Sequence, residues 1–210
     1  IVFGDWSSDV CSSDLADIPI QHISPAVLKR MGRPADAGVI RSLIERLRSR
    51  IEGIALRTTV MVGFPGETEK DFDELMDFLD DTRFERLGVF GYSPEEGTRA
   101  YSFDKAVPDN VVNDRLAAVM ELQSDIASSF NKSLVGRTFE MIVDDPDGPE
   151  GKVIGRTCLD APEIDGNVIA SGSVQQDTPF VTVRIDDASP YDLYGEIVGA
   201  DSPSSSRRYQ

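Results

Sequence analysis

Residues 54–79 constrain the fold more than any other stretch of this chain. Residues 54–62 are rich in Val, Ile and Thr, the composition of a buried strand. They run directly into Gly63-Phe64-Pro65-Gly66-Glu67-Thr68. Thr68 and Asp71 have the three-residue spacing of a capping box, and Phe72, Leu75, Met76 and Leu79 recur at the helical period. A strand that feeds a helix through a short Gly/Pro turn is half of a βαβ unit, and βαβ units demand a parallel sheet.

The neighbouring segments repeat this grammar. Ile18-Pro19-Ile20 reads as the end of a short strand, followed by a loop with Gln21, His22 and Ser24. Ser24 suits an N-cap and Pro25 the first helical position. After Pro34, the residues Ile40, Leu43, Ile44, Leu47 and Ile51 predict an amphipathic helix that Gly53 ends. Residues 87–92 read as another strand. A long helix begins near Pro108 with Val112, Leu116, Val119, Leu122 and Ile126 on one side. Past Gly136 the pattern changes. Short runs at 138–143, 153–158, 168–171 and 180–185, separated by Gly, Pro and Asp turns, predict a small all-β barrel or sandwich. Together these predict an α/β unit followed by a small β domain.

The two ends differ from the rest. Ser7-Ser8-Asp9-Val10, Cys11 and Ser12-Ser13-Asp14-Leu15 form a near-duplicate tetrapeptide around a cysteine, with neither the basic nor the apolar region of a secretory leader. Residues 1–15 resemble translated sequencing-adapter read-through and are expected to be a non-native leader. Residues 199–210 read as a polar, disordered tail. No apolar run approaches the roughly 20 residues of a membrane-spanning helix. The formal charge is -16, from 37 acidic and 21 basic residues, which disfavours unspecific nucleic-acid binding and favours a basic partner.

Two cysteines, Cys11 and Cys158, and one histidine, His22, are too few for a disulfide framework, a four-cysteine zinc site or a cluster within the chain. They suit a reducing, cytoplasmic compartment. No metal ligands are therefore expected here. Candidate chemistry gathers where three strands end: the Gln21 loop, the Gly63–Thr68 turn, and Tyr92-Ser93-Pro94-Glu95-Glu96-Gly97-Thr98. In parallel α/β folds ligands collect at these carboxyl ends, where helix N-termini aim amides at them. Glycines there admit close approach of a ligand, and Glu67 could accept hydrogen bonds from a ribose or amino group. His22 reads better as a hydrogen-bonded core histidine than as a ligand. Ser93 has no base beside it, so a nucleophilic triad has no support.

Asp17-Ile-Pro-Ile-Gln-His22, Val27-Leu28-Lys29-Arg30-Met31 with Arg33, Val62 to Thr68 and Tyr92 to Thr98 together resemble the methylthiotransferases of the radical S-adenosylmethionine superfamily. The β domain is similar to their C-terminal TRAM domain, a five-stranded, OB-like barrel. The resemblance implies the C-terminal part of a radical-SAM partial (β/α) barrel at 16–135 and a TRAM barrel at 136–198. It implies S-adenosylmethionine and two [4Fe-4S] clusters as cofactors of the complete enzyme, with Gln21, Thr59, Gly63, Gly66, Glu67 and Tyr92 around the S-adenosylmethionine. The family's Cys-x3-Cys-x2-Cys motif lies upstream of these segments, so this chain is expected to be an N-terminally truncated piece that holds no cluster and is inactive alone.

Within the family, Asp17 to His22 and Asp160-Ala-Pro-Glu-Ile-Asp-Gly166 most resemble the branch that methylthiolates an aspartate of the twelfth small-subunit ribosomal protein. The sister branch modifies adenosine in tRNA. Charge bears on the choice, because residues 137–196 hold 13 acidic and 4 basic side chains, a net -9. Such a domain repels tRNA and steers a basic ribosomal protein. An acidic, non-catalytic protein-binding module is the alternative of a different class.

Overall fold

The structure is a computed structural model and describes residues 15–33, 37–161, 165–174 and 178–199. The leader through residue 14 and the tail from residue 200, with Cys11, lie outside the described residues. The chain divides into two compact units that part between Ile126 and Ala127.

The first unit is built on three parallel strands in the order β1 (Leu15–Asp17), β2 (Ala55–Val62), β3 (Arg86–Gly91). Thr58 and Val60 of β2 lie opposite Leu87 and Val89 of β3. Alternation along β2 separates its faces: Leu56, Thr58, Val60 and Val62 are buried, whereas Arg57, Thr59 and Met61 are half-buried on the other side. The buried face packs on Leu75, Phe78 and Leu79 of α3 (Glu69–Thr82) and on Val112 and Val119 of α4 (Asp109–Ser133). Burying side chains of this size contributes about 1.5–3 kcal/mol each.

β1 ends at Asp17, earlier than the predicted strand end at 18–20. Pro19 has no N–H for the ladder, so regular pairing stops there. Past Pro19 the backbone pairs with β2 again at an isolated bridge, Gln21 to Val60. Among the described residues β1 has a strand on one side only, so the sheet is open at that edge.

The helices arise as their sequence signals require, with two differences. The capping box of α3 forms, with Asp71 N–H donating to Thr68 Oγ1 at 3.3 Å and Thr68 N–H to Asp71 Oδ2 at 2.9 Å. Ser24 precedes α1 (Pro25–Arg30), but its hydroxyl donates to Asp71 Oδ1 at 2.6 Å instead of capping its own helix. In α2 (Ala37–Arg50) only Ile44 is fully buried, and Ile51 lies past the helix end, 41% exposed.

The second unit is a closed five-stranded barrel in the order β4 (Thr138–Asp145), β5 (Val153–Arg156), β6 (Val168–Ser171), β8 (Leu193–Gly199), β7 (Phe180–Ala188). The β6–β8 pair is parallel and the others antiparallel. Phe139, Met141, Val153, Val168, Val181, Val183, Ile185 and Leu193 fill the inside. The four short runs become β4 to β7. The strand that closes the barrel, β8, has Gly195 and Gly199 in place of apolar side chains and turns Tyr194, Glu196 and Val198 outward. Its run of apolar residues is therefore broken. Cys158 follows β5 and is half-buried rather than in the core. No helix among the described residues is long and apolar enough to cross a membrane.

Candidate functional site at the carboxyl ends of the strands

β2 organises the rim. Gln21 adopts a left-handed backbone (φ 66°), donates its N–H to the Thr59 carbonyl at 2.9 Å and accepts the Met61 N–H at 2.8 Å. On the other flank, Tyr92 N–H donates to the Val62 carbonyl at 2.9 Å. The loops after β1 and β3 are thereby tied to the strand that leads into the Gly63–Thr68 turn.

That turn is braced from beneath. Glu67 Oε2 accepts the Phe64 N–H at 3.0 Å, and Oε1 accepts from Arg115 of α4 at 2.8 Å. The Glu67 side chain is 0% and that of Arg115 6% exposed. A second guanidinium nitrogen of Arg115 reaches Glu69 at 2.9 Å, and the group sits over the Phe72 ring. Burial pushes the Glu67 carboxyl up, and Arg115 and the Phe64 N–H only partly pull it back. This carboxylate faces into the protein, so its work is to hold the turn.

The glycines have a similar explanation. Gly63 and Gly66 both have positive φ (78° and 86°), which a side chain disfavours. A Cβ on Gly63 would lie 2.5 Å from Val112, and one on Gly66 2.7 Å from the Arg30 guanidinium carbon.

The other predicted residues face outward from this brace. Thr59 lies half-buried on the sheet face turned away from α3 and α4, opposite Gly88. The Tyr92 ring meets Phe64 edge-on at 5.1 Å, and its hydroxyl is buried with no partner among the described residues. Two cavities open along the rim. One of about 350 Å³ is bounded by Gln21, Arg30, Met61, Phe64 and Phe103. The other, about 550 Å³, is bounded by Gly63, Gly91, Tyr92, Val112 and Leu116. The rim thus brings together Gln21, Gly63 and Tyr92. Thr59, Gly66 and Glu67 line neither cavity. Ser93, Glu95 and Glu96 are exposed.

His22 is fully buried. Its Nδ1 accepts the Ser24 N–H at 2.9 Å, which places the neutral ring's proton on Nε2, where no partner stands among the described residues. Burial lowers its pKa from 6.5 to about 4, with Asp71 opposing and Arg115 adding to the effect. It is a neutral core histidine.

Sequence reasoning missed Arg30 and Arg115. Arg115 was visible in principle, because it lies between Val112 and Val119 on the inward side of α4. Arg30 belongs to the Val27–Met31 motif, but a basic residue in the last turn of a helix is ordinarily solvated, so it was given no place in the site.

The Radical SAM superfamily model matches residues 12–79, and the TRAM domain model matches residues 135–198. Ribosomal protein uS12 methylthiotransferase RimO of Thermosipho africanus is 46% identical over 182 residues, covering 87% of this chain and 42% of its own. The proteins of that name from Anaeromyxobacter sp. and Cytophaga hutchinsonii are 45% and 42% identical, each covering 91% of this chain. Over most of its own length the chain is related to the radical S-adenosylmethionine methylthiotransferases. It spans about two-fifths of the length of these relatives, 41–43%. Coproporphyrinogen III oxidase (HemN) from Escherichia coli, a radical SAM enzyme, overlays with a TM-score of 0.48 at 13% identity, over 69% of this chain and 39% of that one.

The family's cofactors fit these residues unequally. Among the described residues no three His, Cys, Asp or Glu side chains gather as ligands for a metal, so an iron–sulfur cluster has no seat in them. S-adenosylmethionine fits better, since the rim offers two cavities, an orphaned tyrosine hydroxyl and a mixed polar face at Gln21 and Thr59.

Proposed function

We propose that this chain is part of an enzyme that adds a methylthio group to the β-carbon of an aspartate in ribosomal protein uS12, with S-adenosylmethionine seated on the rim at the carboxyl ends of β1, β2 and β3. The observation that supports this most is that Gln21 and Tyr92, from two different loops, are hydrogen-bonded onto β2 on either side of the Gly63–Thr68 turn. In this reading Gln21, Thr59 and Tyr92 present side chains to the cofactor. Gly63, Gly66 and Glu67 contribute by shaping the turn between them. When bound, S-adenosylmethionine supplies the radical and the methyl group. The residues of this chain orient it and shield it from water.

The barrel serves docking in the same reading. Glu140, Asp144, Asp145, Asp147, Glu150, Asp186, Asp187 and Glu196 are all exposed. Arg156 pairs with Asp144, and Arg184 with Asp186 and Glu196, so two of the few basic groups are already neutralised. A positively charged ribosomal protein is the complementary partner. Binding of purified uS12 and of tRNA to the chain, measured by fluorescence anisotropy at rising salt, tests the proposal. Binding of uS12 that weakens with salt is expected. Equal or tighter binding of tRNA overturns it.

A further inference from the structure

We propose that the smaller rim cavity is a carboxylate-binding subsite that receives an acidic side chain of a protein substrate. The inference rests on the methylthiotransferase reading above and goes beyond it by naming the groups that grip the substrate.

Three arginines surround this cavity of about 350 Å³, Arg30, Arg33 and Arg99, and none of its lining residues is acidic. Such a grouping stands out in a chain of 37 acidic and 21 basic residues. Elsewhere in this unit Arg41, Arg48, Arg57, Arg83 and Arg115 each meet a carboxylate. Arg30, Arg33 and Arg99 meet none among the described residues.

Arg30 is held in place by neutral groups. Its Nε donates to the Pro65 carbonyl at 2.7 Å and Nη2 to the Asp104 carbonyl at 3.3 Å, while the guanidinium carbon lies 5.4 Å from the Phe103 ring centre. Arg99 lies over the same ring, at 5.9 Å. The charge is therefore positioned but not neutralised. Met31, Met61, Phe64 and Phe103 supply apolar walls, which strengthen an ion pair by lowering the local dielectric. A planar guanidinium matches the two oxygens of a carboxylate. Arg33 and Arg99 are exposed, so an incoming chain reaches them directly.

Two labelled lysine-rich peptides that differ only in a central aspartate or asparagine test the subsite against the intact 210-residue chain. The aspartate peptide carries one positive charge fewer, so the overall acidity of the chain favours its asparagine twin. A preference for aspartate therefore reports a local grip. That preference is expected to be about tenfold, the scale of a charge-assisted pair. Arg33→Ala and Arg99→Ala should each erase most of it while leaving the asparagine peptide's affinity within about twofold, and Arg99→Lys should retain part. Equal binding of the two peptides overturns the subsite and leaves the docking reading standing, whereas binding of neither overturns both. S-adenosylhomocysteine is the control ligand. If it displaces the aspartate peptide and is itself weakened by Arg33→Ala and Arg99→Ala, the cavity belongs to the cofactor and the proposal is refuted.

Discussion

Because His22 is the one histidine in the chain, its titration is read without any assignment problem. The ring is fully buried, and its Nδ1 already accepts the Ser24 N–H. A second proton must go onto Nδ1, which breaks that hydrogen bond and places a cation in the core beside Arg115. Asp71, on α3, pulls the other way but is itself occupied by Ser24 and Thr68. Burial raises the Asp71 carboxyl, and these hydrogen bonds outweigh it and hold Asp71 below its ordinary value. The His22 pKa accordingly falls from 6.5 to about 4. At about 1.4 kcal/mol per pH unit, this amounts to about 3 kcal/mol of folding stability.

The direction follows from proton counting. Below pH 6.5 the unfolded chain takes up a proton that the folded chain refuses, so stability falls until the pH reaches about 4. A proton NMR titration of the imidazole Cε1–H should show a midpoint near 4 and not near 6.5. Asp71→Asn should lower the midpoint further, and Arg115→Gln should raise it. Urea unfolding of His22→Gln, compared with the parent between neutral pH and pH 4, should lack this part of the acid sensitivity. A parent midpoint in the ordinary histidine range would falsify the buried, neutral assignment.

Two further substitutions probe the brace. Arg115→Met leaves Glu67 buried with only the backbone hydrogen bonds from Gly63 and Phe64 and should cost about 3–5 kcal/mol at neutral pH by urea unfolding. The cost should shrink on acidification, because the already raised Glu67 carboxyl then takes up a proton; a pH-independent loss would contradict the ion-pair reading. Gly66→Ala forces a side chain into positive φ and against Arg30, and should cost about 1–3 kcal/mol. Adding Arg30→Ala should recover part of that loss, since it removes the steric conflict.

Much of the architecture was legible because its signals are local. The capping box at Thr68 and Asp71 formed as the spacing required, since both partners lie within one turn of backbone. The strand-to-helix alternation predicted that β1, β2 and β3 run parallel, and the Gly/Pro/Asp turns predicted four of the five barrel strands. β8 escaped because Gly195 and Gly199 interrupt its apolar alternation, and barrel closure, a non-local requirement, supplies its pairing. Ser24 shows the same limit. Its position is that of a cap, but a carboxylate 47 residues away, on Asp71, captures its hydroxyl.

The candidate site divides along the same line. By itself the sequence determined the turn Gly63–Thr68, its place between strand and helix, and the excess of acidic residues in the barrel, since period, spacing and charge are properties of the chain. Only the tertiary structure decided what each rim residue faces. It turned Glu67 inward onto Arg115, filled the Cβ spaces of Gly63 and Gly66 with Val112 and Arg30, and left the Tyr92 hydroxyl without a partner among the described residues. It also gathered Arg30, Arg33 and Arg99 around one cavity. Each of these contacts joins segments far apart in the chain, and packing alone chooses which of them meet.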